Sequence, residues 1–375
     1  MKTQAAVLHD TGLPRPYSTS RPLRLADVEL ADPGPGELRV AVDAVGVCHS
    51  DLSVVDGTRP RPTPIALGHE ATGIVDAVGE AVPGLTPGDR VVLVFVPGCG
   101  RCERCAIGRP AHCVNGARAN TEGTLLSGAR RLSRAGTAVN HHLGVSGFAR
   151  HTVVDHRSTV VVPRDVPAPI AALFGCAVLT GVGAVLNTAR LRPGESAVVV
   201  GLGGVGLAAL LGAVLAGAHP IVAIDPVPGK RDLARDLGAT LALAPGEAPE
   251  LRRLLPDGAD AVIETAGSTA ALATAWTLTR PGGRTVSAGL PDPGERFSLP
   301  VTELVGQGRQ LLGSYLGDSV PQRDIARYLT LWREGRLPVD RLLGGTAPLS
   351  AVNDTLETMA AGQALRQVLL PAATP

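Results

Sequence analysis

The sequence predicts an α/β fold with two parts, a compact and mostly β region followed by a doubly wound parallel sheet. Up to about residue 165, Gly or Pro interrupts the chain every few positions between short alternating apolar runs, which is typical of short strands joined by tight turns. From residue 196 onward, apolar runs typical of buried strands alternate with helical segments, which indicates βαβ units. The chain of 375 residues is long enough for two domains.

Individual elements follow from local patterns. In the first region, alternating runs predict strands over residues 38–47, 74–78, 89–95 and 152–162. In the second region, buried strands are predicted at SAVVV, PIVAID, ADAVIE and GRTVSAG. Helices are predicted over 230–237, which ends before Gly238, and over 269–279, which ends before Pro281 and Gly282. Near the C-terminus we expect helices over 323–334 and 349–361 and a last strand over 366–370.

Composition argues against several classes of partner. Lys and Arg total 35 against 34 Asp and Glu, so the formal net charge of +1 gives no bulk attraction to nucleic acid or to anionic membranes. The N-terminal MKTQAAVLHD has no apolar secretory core, and we therefore expect a cytoplasmic protein. In a reducing compartment, six cysteines indicate metal binding or catalysis rather than disulfides.

Two uncharged stretches, residues 169–189 and 197–218, are long enough to be tested as membrane spans. The second contains six glycines, which would weaken a continuous helix, so a strand, a glycine turn and a buried helix are predicted instead. The first begins at a proline and lacks flanking basic residues or an aromatic belt. Neither stretch is therefore expected to cross a membrane.

The polar, Gly-rich segment 116–142 carries four arginines and a single acid, Glu122. The arginines are Arg118, Arg130, Arg131 and Arg134. Charge runs of this kind are usually solvated, so we predict a surface loop rather than a specific anion site.

The motif G-L-G-G-V-G has the spacing of a dinucleotide-binding turn, with glycines at Gly201, Gly203 and Gly206. It follows a predicted strand and opens a predicted helix, where glycines let a pyrophosphate approach the backbone and the helix N-terminus supplies amide hydrogens. Asp225 ends the next predicted strand, 19 residues beyond Gly206. A carboxylate there accepts hydrogen bonds from ribose hydroxyls and repels a 2′-phosphate, which favours NAD over NADP.

Four cysteines in the pattern C-x2-C-x2-C-x7-C indicate a bound metal. They are Cys99, Cys102, Cys105 and Cys113. Four thiolates on one tetrahedral Zn²⁺ leave no open position, so the site would be structural, and an iron–sulfur cluster is the alternative metal group.

The two remaining cysteines, Cys48 and Cys176, stand with His69 as candidates for a second zinc site. Cys48 lies in GVCHSD and is followed by GHE, which contains His69 and Glu70. Two thiolates and one imidazole would leave a fourth position for water or an alcohol oxygen. Spacing alone does not decide between this site and ordinary core residues.

The whole chain resembles the zinc-dependent medium-chain alcohol dehydrogenase family. GVCHSD, GHEATGIVDAVG, PGDRVV, the four-cysteine lobe and GLGGVG occur in that family's order. The resemblance implies a GroES-like catalytic domain, residues 1–178 and 316–375, with a structural zinc lobe at about 96–115. It implies a Rossmann NAD-binding domain over 179–315. The lobe and the long 116–142 segment are most similar to the longer, typically dimeric members, so a homodimer is expected.

The resemblance also implies roles for particular residues. Cys48, His69 and Cys176 would hold the catalytic zinc, Asp51 would hold the His69 ring, and Glu70 would lie beside the metal. Ser50 would receive the alcohol proton. Coenzyme contacts are implied at His49, Thr180, Gly201, Leu202, Gly203, Gly204, Val205, Gly206, Asp225, Lys230, Ala288, Gly289 and Arg366.

The substrate pocket is implied at Phe95, His142 and Leu143, and this part of the chain departs from the family. Many relatives have an aromatic residue where His142 stands, so one wall of the pocket is expected to be more polar. Ser53 occupies the position where many animal and plant relatives have the histidine that ends the proton relay. The relay is therefore predicted only as far as Ser50.

These observations predict an NAD-dependent zinc enzyme that interconverts alcohols and aldehydes or ketones, with two zinc ions per subunit. One alternative in the same family is a dehydrogenase of the formaldehyde adduct of a small thiol, whose carboxylates the arginines of 118–134 would bind. An alternative of another class is a non-catalytic dinucleotide- or zinc-binding protein. That alternative gives no reason for an open metal site at Cys48, His69 and Cys176.

Overall fold

A computed structural model describes residues 1–362 and 364–372, with all side chains among them except those of residues 248 and 249. The chain forms two compact units. The first comprises residues 1–176, 320–326 and the described residues from 343 onward, and the second comprises residues 177–319 and 327–342.

The elements are numbered in chain order. The strands are β1 (Lys2–Leu8), β2 (Leu23–Leu30), β3 (Glu37–Gly46), β4 (Ile65–Ala66), β5 (Glu70–Val78), β6 (Arg90–Leu93), β7 (Leu132–Arg134), β8 (Thr137–His141), β9 (His151–Asp155), β10 (Thr159–Val161), β11 (Ala197–Val200), β12 (Ile221–Ile224), β13 (Leu241–Leu243), β14 (Ala259–Glu264), β15 (Thr279–Ser287), β16 (Gln310–Gly313), β17 (Leu343–Pro348) and β18 (Arg366–Leu370). The α-helices are α1 (Tyr17–Ser20), α2 (His49–Val55), α3 (Glu103–Ala106), α4 (Val114–Glu122), α5 (Ala168–Leu173), α6 (Ala177–Gly183), α7 (Gly204–Leu215), α8 (Pro228–Asp236), α9 (Ala248–Leu254), α10 (Thr269–Leu278), α11 (Val301–Gly306), α12 (Pro321–Arg333) and α13 (Val352–Ala360). A π-helix covers Ala184–Ala189, and short 3₁₀ turns cover Pro110–His112, His156–Ser158, Leu316–Asp318, Val339–Leu342 and Leu349–Ala351.

The first unit is built from two β structures. Strands β1, β2, β7, β8 and β4 close a barrel, and a second sheet has the order β10-β6-β5-β3-β18-β17 with β9 also pairing with β3. Strand β3 contributes Leu38, Val40 and Val42 to the hydrophobic core of this unit. These residues alternate with less buried ones, as expected for a strand with one face packed inward. The pairing of β18 with β3 brings the C-terminal end of the chain beside the strand that leads into Cys48.

The segment 116–142 is not a solvated loop, and this expectation was wrong. It contains the end of α4 and both strands β7 and β8 of the barrel. The Arg131 Nε atom lies 2.7 Å from the fully buried Glu37 carboxylate. Arg130 donates a hydrogen bond of 2.7 Å to the side chain of Asn140. The run of arginines suggested a solvated segment because the sequence does not show that Arg130 and Arg131 have polar partners within the same unit.

His141, at the end of β8, couples the stability of the first unit to pH. The ring is fully buried, accepts a hydrogen bond from the Arg131 amide at Nε2 (3.1 Å), and lies 3.3 Å from the Ser146 hydroxyl. Burial lowers the pKa of His141 to about 4. The unfolded chain therefore binds a proton below about pH 6.5 that the folded chain takes up only near pH 4.

We expect this histidine to make stability fall with pH. The free energy of unfolding carries no penalty from this histidine above about pH 6.5. It falls progressively as the pH is lowered towards 4, where the loss amounts to about 3 kcal/mol. Urea unfolding of the wild type and of His141→Gln, from pH 7.5 to pH 4.5, would measure the difference, with the exposed His219→Gln as control. Parallel stability curves for the wild type and H141Q would contradict the assignment.

The second unit is a six-stranded sheet in which every pair is parallel, with the order β13-β12-β11-β14-β15-β16. The chain moves outward from β11 to β13 and then returns to the other side of β11 with β14. The order therefore reverses between β11 and β14, and such sheets bind ligands at the carboxyl ends of the strands at this point.

Most predicted elements of the second unit are present, with one boundary difference. The segment 197–218 forms β11, a glycine turn and α7, as expected, and 169–189 is divided among α5, α6 and the π-helix. Helix α10 ends at Leu278, however, and β15 begins at Thr279 and passes through Pro281. The register of β15 against β14 is irregular between Ala259 and Ala261, which accommodates the proline at this end.

Residues 327–342 pack with the second unit, although the family resemblance assigned 316–375 to the catalytic domain. The 3₁₀ turn Val339–Leu342 packs against α7, with Val339 and Leu342 buried. The boundaries after 178 and before 316 stay a prediction. Across the described part of the chain, no helix combines the length and apolar character that a membrane crossing requires.

Candidate active site

Three potential ligands converge in the first unit. The Cys48 and Cys176 sulfurs and a ring nitrogen of His69 all lie within 4.8 Å of one another, and all three residues are buried. The Cys176 sulfur lies 3.6 Å from His69 Nε2. Zn–S and Zn–N bonds of about 2.3 and 2.0 Å at tetrahedral angles place such atoms about 3.6 Å apart. The three groups therefore fit one zinc ion with a fourth position left over.

Asp51 ties together the two segments that carry Cys48 and His69. Cys48 precedes the first turn of α2, and its amide donates a hydrogen bond of 3.1 Å to Asp51 Oδ2. The other oxygen, Oδ1, accepts from the Gly68 amide at 3.1 Å and lies 3.0 Å from His69 Nδ1. Asp51 thus orients the ring so that Nε2 faces the two sulfurs, as expected for a carboxylate behind a metal-bound imidazole.

Gly68 allows His69 to reach this position. Its φ of +87° lies in the left-handed region. A Cβ atom at this position would lie 2.5 Å from the Phe148 amide nitrogen. Any side chain here would displace the segment that carries His69.

Glu70 and Arg366 form a buried ion pair beside the three ligands. The Arg366 guanidinium lies 2.7 Å from Glu70 Oε2 and also donates to the Val47 carbonyl at 3.0 Å. Burial raises the pKa of Glu70 to about 7, against the opposing charge of Arg366. Among the described residues, Glu70 Oε1 is buried without a hydrogen-bond partner. An orphaned carboxylate oxygen at this place suits a site that holds a cation.

The two thiols differ electrostatically, because the hydrogen bond with Cys48 and burial raise the pKa of Cys176 well above its usual value, so Cys48 is the thiol favoured as a thiolate. A hydrogen bond with Cys176 holds the pKa of Cys48 well below its usual value despite burial, and the positive charge of Arg366 acts in the same direction. Ser50 lies half-buried in the first turn of α2, two residues after Cys48, and His49 is exposed at the start of that helix.

Two rings flank His69. Phe95 and His142 each meet it edge-on at 85°, with centroids 5.5 and 5.4 Å away. Leu143 follows with a φ of +53° and is buried. Two of the three residues assigned to a pocket wall, Phe95 and His142, therefore lie beside the candidate ligand His69, and Leu143 directly follows His142 in the chain. His142 also lies 3.2 Å from Asp51, which the sequence did not suggest.

The four cysteines of the lobe form a second cluster in the same unit. Their sulfurs all lie within 4.8 Å of one another, with 3.9 Å between those of Cys102 and Cys113. A tetrahedral zinc with Zn–S bonds of about 2.3 Å requires sulfurs about 3.8 Å apart. Amides and Asn115 donate to the sulfurs: the Cys99 sulfur accepts from Asn115 at 3.2 Å and from the Cys102 amide at 3.3 Å.

The second unit presents the glycine turn where its strand order reverses. A Cβ on Gly206 would collide with the Gly201 carbonyl, whereas the space around Gly203 is open. Asp225 follows β12 and is buried, and its two oxygens accept hydrogen bonds from the Leu202 amide (2.7 Å) and the Val227 amide (2.9 Å). The carboxylate therefore fixes the turn and keeps a free lone pair on each oxygen.

Both parts of the chain match families of known proteins. Residues 34–164 match the family described as "Alcohol dehydrogenase GroES-like domain", and residues 204–333 match "Zinc-binding dehydrogenase". Geraniol dehydrogenase of Castellaniella defragrans is 37% identical over 376 residues, which cover 99% of this chain and 98% of that protein. The chain belongs to the zinc-dependent medium-chain alcohol dehydrogenase family.

Crystal structures agree with this membership. Benzyl alcohol dehydrogenase from Acinetobacter calcoaceticus has a TM-score of 0.92 at 30% identity, covering 99% of this chain and 100% of that one. An alcohol dehydrogenase zinc-binding domain protein from Burkholderia ambifaria has a TM-score of 0.92 at 33% identity, with 99% of each chain covered. The predicted family and the predicted combination of a GroES-like and a Rossmann domain are confirmed.

Most of the remaining predicted coenzyme residues of this dehydrogenase lie at several places in the second unit. Gly204 and Val205 open α7, Lys230 is in the first turn of α8, and Thr180 is buried in α6. Ala288 and Gly289 follow β15 at the same edge of the sheet as the glycine turn, and their amides bond the Glu264 carbonyl. Arg366, by contrast, is in the first unit with Glu70.

Sequence reasoning missed the buried carboxylate of Glu264. It accepts hydrogen bonds from the Gly267 amide (2.6 Å) and the Ser287 hydroxyl (2.9 Å), so it joins the loop that follows β14 to the end of β15. Burial raises the pKa of Glu264. The only available signal was an acidic residue at the end of the apolar run ADAVIE.

Proposed function

We propose that this chain is an NAD-dependent zinc alcohol dehydrogenase that interconverts alcohols with aldehydes or ketones in the cytoplasm. The observation that carries the proposal is the convergence of Cys48, His69 and Cys176 with the unpaired Glu70 oxygen close by. A structural zinc site has four protein ligands, whereas three protein ligands leave a position for a reactant. Bound zinc would supply a Lewis acid for the alcohol oxygen, and bound NAD would accept a hydride from the alcohol carbon.

The chain's own residues would hold the metal and move the proton. Asp51 orients His69, and Glu70, neutralised by Arg366, keeps the surroundings of the ligands polar but close to charge balance. Ser50 stands in the first turn of α2 next to this set, and we assign it the proton of the alcohol. Phe95 shields one edge of His69 from water.

Asp225 supports NAD as the coenzyme. Its charge would repel a 2′-phosphate, and its free lone pairs suit ribose hydroxyls. Arg231, a nearby cation, donates to the carbonyls of Asp225 and Pro226 at 2.8 and 2.9 Å. Both bonds come from Nη1, so this part of the guanidinium is directed at the backbone beside Asp225.

Two zinc ions per chain follow from the two sulfur-containing clusters. In the lobe, the short distances among the four sulfurs favour a single tetrahedral ion over an iron–sulfur cluster, whose several irons would hold the sulfurs farther apart. With four thiolate ligands, this ion would serve structure only.

The thiol-adduct alternative is left with two of its four arginines. It needs cations for the carboxylates of the thiol, and Arg130 and Arg131 pair with Asn140 and Glu37, whereas Arg118 and Arg134 are exposed. A non-catalytic binding protein is also disfavoured, because such a protein has no use for three buried ligands with an unpaired carboxylate beside them.

The proposal is tested with purified protein by counting zinc and assaying alcohols with each coenzyme. We expect two zinc ions per chain and turnover of primary alcohols such as geraniol and benzyl alcohol, on which two relatives act by name. We also expect kcat/KM to favour NAD over NADP by about 100-fold, because like-charge repulsion of about 3 kcal/mol corresponds to that ratio.

Ser50→Ala should lower kcat by about 100-fold while both zinc ions remain, since proton transfer by a positioned group contributes this order of magnitude. Ser53→Ala is the matched control: Ser53 is on the same helix, and its hydroxyl donates to the His49 carbonyl at 3.0 Å. An unchanged rate in S50A would reject its role. No turnover of any alcohol by protein with two zinc ions would reject the function.

We also propose that two copies of the chain pair through the edge strand β16. Within the described residues this strand pairs only with β15. Leu311 on it is 37% exposed, and Val301 and Val305 just before it are 67% and 75% exposed. An exposed edge with apolar neighbours favours pairing with another strand, and a second copy offers the same surface by symmetry.

Analytical ultracentrifugation should therefore give twice the chain mass of 38.3 kDa. The double variant Val301→Glu/Val305→Glu should shift the protein to a monomer at micromolar concentration. Val161→Glu changes an apolar residue that is also exposed (54%), on β10 of the first unit, and should leave the dimer intact. A V301E/V305E protein that remains fully dimeric would rule out this surface.

A further inference from the structure

His142 stands behind the candidate metal ligands rather than simply lining a pocket. Its Nδ1 lies 3.2 Å from Asp51 Oδ1, the same oxygen that lies 3.0 Å from His69 Nδ1. The ring is 2% exposed, and within the described part of the chain Nδ1 makes no hydrogen bond of full geometry, the 3.2 Å approach to Asp51 included. An unpaired ring N–H is costly to bury, and a small rotation of the ring would direct it at the carboxylate oxygen 3.2 Å away.

The backbone around His142 holds the ring in this place. The His142 amide donates to the Ser146 hydroxyl at 3.1 Å, and the Val145 and Ser146 amides bond the His142 carbonyl. The next residue, Leu143, adopts a positive φ of 53°, a costly conformation that persists only where surrounding contacts impose it. The backbone that carries the ring beside Asp51 is therefore held in place by its own loop.

The two rings beside His69 differ in one respect. Phe95 and His142 meet it at the same angle and at nearly the same distance, so they contribute similar packing. Only His142 can donate a hydrogen bond, and it lies beside Asp51. Substitutions at Phe95 and at His142 can therefore separate the effect of ring packing on His69 from the effect of a hydrogen bond to Asp51.

We propose that His142 is a positioning residue for the metal site and acts through Asp51. Its Nδ1–H restrains the carboxylate that orients His69, so the Nε2 atom of His69 stays directed at the two sulfurs. This inference rests on the proposed function, because it assumes zinc at Cys48, His69 and Cys176. Groups one shell behind the ligands commonly change metal affinity by about 10- to 100-fold when removed.

The test measures zinc release rather than activity alone. A chelating zinc indicator added to the purified holoenzyme should give two phases, and the phase missing from a Cys176→Ala protein belongs to this site. His142→Phe keeps a ring but removes the nitrogen, and we expect zinc release from this site to become about 10-fold faster. His142→Asn keeps a donor close to the Nδ1 position and should restore a nearly normal rate.

Two further variants test whether His142 acts on the metal site through Asp51. Phe95→Leu alters the other ring, and we expect it to change zinc release by no more than about twofold, because it removes no partner of Asp51. In an Asp51→Asn background, H142F should add little, because residues that act through one group are not additive. Thermal unfolding of each variant reports the fold separately.

The outcomes are distinguishable. Folded H142F protein with wild-type zinc release, or equal effects of H142F and F95L, overturns the inference and leaves the proposed function standing. H142F and D51N effects that simply multiply also overturn it, because His142 would then act independently of Asp51. A wild-type chain that holds zinc only in the four-cysteine lobe overturns the proposed function and the inference with it.

Discussion

Cys176→Ala should leave a folded protein with one zinc ion instead of two and with kcat/KM reduced by at least about 1000-fold. The Cys176 sulfur is one of three ligands, and two ligands hold zinc poorly against water. Lewis-acid stabilisation by a metal contributes several kcal/mol to a transition state, and about 4 kcal/mol corresponds to 1000-fold in rate. Zinc per chain, measured by mass spectrometry beside the alcohol assay, checks both parts.

The matched control for C176A is again Ser53→Ala, a buried small side chain whose hydroxyl bonds the His49 carbonyl. It should keep two zinc ions and most of the activity. NAD binding by C176A, followed by titration, should stay near the wild-type value, since the glycine turn and Asp225 lie in the second unit. If C176A keeps two zinc ions and normal turnover, Cys176 is not a ligand and the active site lies elsewhere.

The strands and helices of the second unit could be predicted because their signals are local. Val198 and Val200 on β11, or Val222 and Ile224 on β12, are buried in runs that need no distant partner to be recognised. The glycine turn and Asp225 follow from the same reasoning, since the carboxyl ends of adjacent parallel strands meet at one edge.

Local sequence patterns could predict only some of the metal-binding residues. The cysteines of the lobe lie within one short segment, so their spacing identified them. The Cys176 sulfur meets His69 across 107 residues of sequence, and the resemblance to a family, not the spacing, suggested that pair. Such a contact depends on how whole sheets and helices pack, which no local pattern encodes.

The sequence could not predict which buried charged residues pair with each other. Arg366 meets Glu70 across 296 residues because β18 pairs with β3 and carries the guanidinium to the strand that leads into Cys48. Arg131 was misjudged as solvated for the same reason, since its partner Glu37 stands at the start of β3. A residue list shows charge, but only the fold decides which charges are paired.

Cys102→Ser should lower the stability of the whole chain more than the substitutions at Ser50, His142 or Cys176 do. In the lobe, the side chains of Arg101, Glu103 and Arg104 are exposed, and Ala111 is the main buried apolar residue between Cys99 and Cys113. So little apolar burial cannot order this segment, and structural zinc sites contribute folding free energy directly. We expect low soluble yield, one zinc per chain, and an unfolding midpoint lowered by about 4 °C, which corresponds to a loss of about 3 kcal/mol in a chain of 375 residues.

The decisive measurement is activity per zinc ion at the Cys48 site. If the lobe serves structure only, folded C102S protein should keep its turnover per remaining zinc, whereas a catalytic lobe would lose it. Glu103→Gln, an exposed neighbour on α3, should keep both zinc ions and the normal midpoint. A C102S protein with two zinc ions and an unchanged midpoint would show that the four sulfurs do not share one metal, since a tetrahedral ion that loses a ligand cannot retain its full affinity.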